Sequence, residues 1–125
     1  MKLRIRGNSV RLRLSKGEVA RLEETGLVEE TVEFGFDAAQ KFAYALAASG
    51  DRVNAVFMDN RLTIFVPEDE ARRWARGEEI AVSAEQPLAD EKTLRILVEK
   101  DFACFEERPG EDESDLFAAP AGTAC

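Results

Sequence analysis

The stretch Met1-Lys2-Leu3-Arg4-Ile5-Arg6-Gly7-Asn8-Ser9-Val10-Arg11-Leu12-Arg13-Leu14-Ser15-Lys16 decides how this chain folds. On both sides of Gly7-Asn8-Ser9, apolar and basic residues alternate with a period of two. That spacing belongs to a strand with one face turned to a core. Leu3 and Ile5 keep one phase, whereas Val10, Leu12 and Leu14 keep the other, so the register resets between Arg6 and Val10. A bulge at Gly7 would reset it, and so would a tight turn at Gly7-Asn8. In the hairpin form Ile5 faces Val10, Leu3 faces Leu12 and Arg4 faces Arg11.

Arg4, Arg6, Arg11 and Arg13 then share one face and are the candidate anion-binding residues. Like charges directly opposite destabilise a ladder by up to ~1 kcal/mol per pair unless something offsets them. The stretch also holds Lys2 and Lys16 and no acidic residue, so the remainder carries 11 of the 17 basic side chains and all 25 acidic ones. Two readings stay open. Either neighbouring strands supply carboxylates, or the face meets a protein or anionic partner such as a phosphate or nucleic acid.

Ser15-Lys16-Gly17-Glu18 is a capping box, with serine at the N-cap and glutamate three residues on. The helix it starts turns Val19, Ala20 and Leu22 inward and stops at Gly26. From Leu27 to Phe34 the pattern alternates again, and Glu30 shares the phase of Val28, Val32 and Phe34. An inward charge can guard an edge strand. It can also be a carboxylate held against the arginine face, which makes Glu30 a candidate charge partner.

Further strands are expected near Lys41–Ala48, Val53–Met58 and Leu62–Val66, the last two joined by the hairpin residues Asp59-Asn60-Arg61. Both of these are apolar at nearly every position, as central strands are. Pro67-Glu68-Asp69-Glu70 opens a second helix, with acids in its first turn and Arg72, Arg73 and Arg76 towards its end. Ile80, Val82 and Ala84 share a strand phase, as do Leu94, Ile96 and Val98, with Phe102–Phe105 extending the last strand. The sequence shows no internal repeat.

Glu106 to Asp115 is an acidic run around Pro109-Gly110 and reads as a mobile or interaction tail. Leu116-Phe117 inside it has the composition of a docking segment. The organisation expected is therefore one α+β domain over 1–105 and an acidic tail over 106–125. The domain is a curved antiparallel sheet or partial barrel of six to eight strands with two short helices.

A chain of 125 residues can bury a core without disulfide or metal. No apolar run approaches the length of a membrane span, and the charged N-terminus is no signal peptide, so a cytoplasmic location is expected. Cys104 reads as a small core residue, and Cys125 as the terminal residue rather than half of a disulfide. With no histidine, histidine triads and histidine metal ligands are excluded. Neither a Gly-rich phosphate loop nor a catalytic constellation is visible, and no cofactor, metal or catalytic residue is assigned. A net charge of −8 speaks against a general nucleic-acid coat; DNA binding would be local to the first strands.

Arg6-Gly7-Asn8-Ser9-Val10-Arg11-Leu12-Arg13-Leu14-Ser15-Lys16 resembles the swapped-hairpin motif of the AbrB and MazE families, with Ser15 where that motif usually has proline. The resemblance covers roughly the first 26 residues and implies a DNA-binding regulator or antitoxin that interleaves as a homodimer. From Met1-Lys2-Leu3-Arg4-Ile5-Arg6-Gly7-Asn8-Ser9 through Val98-Glu99-Lys100-Asp101-Phe102-Ala103-Cys104, the chain is similar to a small bacterial family of unknown function. That likeness implies no activity.

Three functions follow as expectations. The first is a non-catalytic binding or interaction module that uses the arginine face. The second is a DNA-binding regulator. The third is an enzyme acting on polyphosphate inside an arginine-lined barrel, with Val28 to Glu33 as its acidic strand.

Overall fold

The computed structural model describes residues 1–102 and 115–118. The expectations for Cys104, Cys125 and most of the acidic tail lie outside those residues. The chain runs β1 (Lys2–Arg6), β2 (Ser9–Leu14), α1 (Lys16–Thr25), β3 (Leu27–Glu33), β4 (Lys41–Ala48), β5 (Asn54–Met58), β6 (Arg61–Val66), α2 (Glu68–Ala75), β7 (Ala81–Pro87) and β8 (Thr93–Lys100). Short 3-10 turns at Ala38–Gln40 and Ala89–Glu91 precede β4 and β8. It is a single α+β domain.

Of the two forms that the phase change allows, a bulge or a tight turn, the chain adopts the tight turn. Leu3 pairs with Leu12, Arg4 with Arg11 and Ile5 with Val10 across a two-residue turn. Gly7 has φ 54°, the positive angle that tight hairpin turns require and glycine adopts without strain.

Four hairpins build two four-stranded sheets. One has the order β1-β2-β8-β7 and the other β3-β4-β6-β5. The first hairpin thus joins the last, and the second joins the third. Each sheet is mixed rather than purely antiparallel, because β2 runs parallel to β8 and β4 runs parallel to β6. A parallel neighbour requires a connection that returns the chain to its starting end: β4 reaches β6 by way of edge strand β5, and β2 reaches β8 only through the intervening elements from α1 to β7.

The chain is a duplication that the sequence hides. Residues from β1 to β4 and from β5 to β8 each form hairpin, helix, hairpin, and exchanging the two halves maps one sheet onto the other. The backbone hydrogen bonds repeat too. Asp101 N–H donates to Leu14 O as Ser49 N–H does to Val66 O, and Arg95 N–H donates to Asn8 O as Ala43 N–H does to Asn60 O. What survives in sequence is the inward set: Val10, Leu12 and Leu14 match Leu62, Ile64 and Val66, and Leu22 matches Trp74. Packing preserves apolar character rather than identity, so no repeat is legible by eye.

The core lies between the sheets under the helices. Leu12, Leu14, Ile96 and Val98 meet Val28, Leu46, Ile64 and Val66, with Val19, Leu22, Ala71 and Trp74 closing one end. β6 is central as expected, but β5 is an edge strand. Its apolar residues are split between faces, and Val56, Phe57 and Met58 stay exposed. Apolarity on both faces marks a central strand only when both faces are covered. Ile80 precedes β7 and is exposed.

Candidate functional site

Alternation along β1 and β2 sends Leu3, Leu12 and Leu14 inward and the basic residues outward. Register carries the outer face across the sheet: Ser9 lies beside Arg95, Arg11 beside Leu97 and Arg13 beside Glu99, with Glu85 beyond Arg95. Lys2, Arg4, Arg6, Arg11, Arg13 and Arg95 therefore share a face on which Glu85 and Glu99 are the acidic members of the ladder. All four arginines proposed from sequence are brought together on this face.

Their compensation is uneven. Glu99 Oε1 accepts from Arg11 Nη1 at 3.1 Å and from Arg13 Nε at 2.9 Å. Lys2 Nζ is 2.9 Å from a buried carboxylate oxygen of Asp101, and Arg95 lies 3.7 Å from Glu85. Arg4 and Arg6 are exposed and meet no carboxylate among the described residues. Among the described residues, neighbouring strands thus supply a carboxylate to Arg11, Arg13 and Arg95 and none to Arg4 or Arg6. An open groove of about 520 Å³ at the turn is lined by Arg6, Gly7, Asn8, Ser9, Thr93 and Arg95.

Duplication supplies an internal control. The positions in the other half that match Lys2, Arg4, Arg6, Arg11 and Arg13 are Asn54, Val56, Met58, Thr63 and Phe65. The same strands on the same scaffold therefore form without any of these charges.

Glu30 faces inward on edge strand β3, but its cation is not an arginine. Its carboxylate accepts from the Met1 ammonium at 2.5 Å and from the Tyr44 hydroxyl at 2.7 Å, and Glu18 holds the same ammonium. Met1 O lies 2.9 Å from Tyr44 Oη as a second acceptor for the same single hydroxyl proton. The residue beside the first strand is the chain's own amine, which a count of side-chain charges omits. Burial raises the Glu30 pKa, but its bonds to the ammonium and to Tyr44 outweigh that and hold it below the ordinary value. Burial disfavours the ammonium too, yet Glu18 and Glu30 keep its pKa raised. Burial, then Glu30, push the Tyr44 phenol up to about 12.

The opposite seam is closed differently. Gln86 Oε1 accepts from Ala55 N–H at 2.7 Å, and its Nε2 donates to Ala55 O at 3.1 Å. The two sheets are thus joined by side chains at both margins without closing into a barrel. Their interior is filled by apolar side chains, and the arginines point outward. An arginine-lined interior for polyphosphate therefore has no place in this fold. Glu29 of the acidic strand is also outward, paired with Arg61, whose hydrogen bond holds the Glu29 pKa down.

Fold and site together define a small α+β domain of two interleaved hairpin–helix–hairpin halves, one of which bears a basic sheet face. The chain belongs to a family described as a family of unknown function (DUF7009), which matches residues 1–121. No curated protein and no solved structure matches it. None of the described helices is long and apolar enough to cross a membrane.

Proposed function

We propose that the protein is a non-catalytic binding module that presents the outer face of the β1-β2-β8-β7 sheet to an anionic partner. One observation carries this reading: the fold positions occupied by Lys2, Arg4, Arg6, Arg11 and Arg13 are uncharged in the matching half. Arg4 opposite Arg11 is a cost to the sheet, and a cost the scaffold does not require is one that a ligand can offset. Guanidinium groups are suited to the task, since each offers a planar fork of donors to carboxylate or phosphate.

A second reading, DNA binding by this face, is favoured by the interleaving of hairpins. The AbrB- and MazE-like motif of the first hairpin implies such interleaving between two chains, and here it occurs between two halves of one. Pro67 stands at the position matching Ser15, where that motif usually has proline. Titration with a short DNA duplex and with an acidic polypeptide, at low and moderate salt, tests both. Salt-sensitive binding of either supports the module. Preference for the duplex selects the second reading, and binding of neither at low salt removes both.

A further inference from the structure

Beyond the basic face, the chain holds part of its own C-terminal region in a second, built site. Asp115 lies across the first turn of α1: its carbonyl accepts from Lys16 N–H at 3.0 Å, and its Oδ1 accepts from Gly17 N–H at 3.1 Å. Two residues on, Phe117 N–H donates to Asp101 O at 3.0 Å and forms a parallel bridge with Phe102. The Phe117 ring meets Phe102 edge to face at 5.9 Å and sits 5.3 Å from the Lys100 ammonium. That ammonium is also 5.8 Å from the Trp74 ring. The segment is read by helix amides, by strand-type backbone bonding and by an aromatic seat with a cation above it.

The receiving surface is shaped for a carboxylate from outside the helix. In α2 the first turn carries its own acids, Glu68, Asp69 and Glu70. In α1 the matching residues are Lys16, Gly17 and Glu18, and Glu18 is already committed to Ser15 and Met1. Ser15 satisfies the Glu18 amide, which leaves the Lys16 and Gly17 amides for a ligand. A Cβ on Gly17 would stand 3.2 Å from Asp115 Oδ2. That contact is tighter than most side chains make, so a residue larger than glycine would press on the carboxylate.

We propose that the groove between the first turn of α1 and the end of β8 is a peptide-docking site. Its partner is an extended protein segment with Asp or Glu two residues before an aromatic, and Asp115–Phe117 is the occupant held in cis. A tethered occupant acts at an effective concentration of about millimolar, so a partner in trans competes with it.

The test uses the full chain carrying Asp115→Asn and Phe117→Ala, and a synthetic peptide spanning residues 114–118 as probe. The vacated variant should bind the peptide at least tenfold more tightly than the unaltered protein, shifting the Lys16 and Gly17 amide resonances. The same peptide with its Asp replaced by Asn and its Phe by Ala should bind neither. Folded variant protein that ignores the peptide overturns the proposal. If the double variant does not fold, Phe117→Ala alone takes its place. Absence of exchange there, or loss of the fold there, shows that the segment is structural.

Discussion

Gln86 gives Ala55 the two hydrogen bonds that a neighbouring strand would give it, one accepted from its N–H and one donated to its carbonyl. Edge strand β5 is thereby occupied by a side chain from β7 of the other sheet, and a primary amide matches the peptide group it replaces. Gln86→Leu should keep the volume and leave both Ala55 groups without partners. A loss of about 1–3 kcal/mol is expected, read from the denaturant midpoint with an unchanged slope. An unaltered midpoint would show that water serves Ala55 equally well.

The other seam is ionic and should make stability depend on pH in both directions. Glu30 has a lowered pKa, so its contribution is present above the ordinary value of 4.5 and is lost as pH falls through the folded value. The Met1 ammonium has a raised pKa, so its contribution is complete below 8.0 and is lost as pH rises through the folded value. Tyr44, held neutral up to about 12, adds a further loss between its ordinary 10.0 and that value. Thermal melts from pH 3 to 11 should show a plateau with two falling arms. Glu30→Gln should flatten both, and arms that persist unchanged in that variant would place their origin elsewhere.

Ser15 closes a complete capping box, accepting from Glu18 N–H while Glu18 returns a bond to Ser15 N–H. α2 begins at Pro67 with no side-chain cap. Ser15→Ala should therefore cost about 0.5–2 kcal/mol, whereas Pro67→Ala removes no capping bond. Equal losses in the two variants, measured by chemical denaturation, would contradict this account.

Much of this was legible where period and chemistry agree. The phase change between Ile5 and Val10 narrowed the first strands to a bulge or a tight hairpin, Ser15 and Glu18 marked the α1 cap, and alternation within the hairpin form put the arginines on one face. What stayed hidden depends on relations between distant segments. Glu30 reads as out of place in its strand, but its main cation is the backbone amine of Met1, which carries no letter in the sequence. Val56-Phe57-Met58 has the composition of a central strand, yet the pairing of hairpins leaves β5 at an edge. The duplication is masked because Leu22 and Trp74 fill matching positions with different shapes, while Arg4 and Val56, or Arg13 and Phe65, share no chemistry at all.

The arginine face allows structure and function to be separated residue by residue. Arg11 and Arg13 both bond Glu99, whose side chain is only 23% exposed, so replacing both with glutamine should leave a half-buried carboxylate without a cation. Thermal stability should fall, and polyanion affinity should fall with it. Arg4 and Arg6 are exposed and meet no carboxylate among the described residues. Arg4→Gln with Arg6→Gln should therefore leave the melting temperature unchanged or slightly higher, since the Arg4–Arg11 repulsion goes. For a phosphate ligand, the slope of log affinity against log salt should become shallower by about two, one for each phosphate that is no longer neutralised. The decisive comparison is between the two double variants at low salt. If the Arg4 and Arg6 pair proves silent in binding while costing stability, those side chains are structural, and the face is not a binding surface.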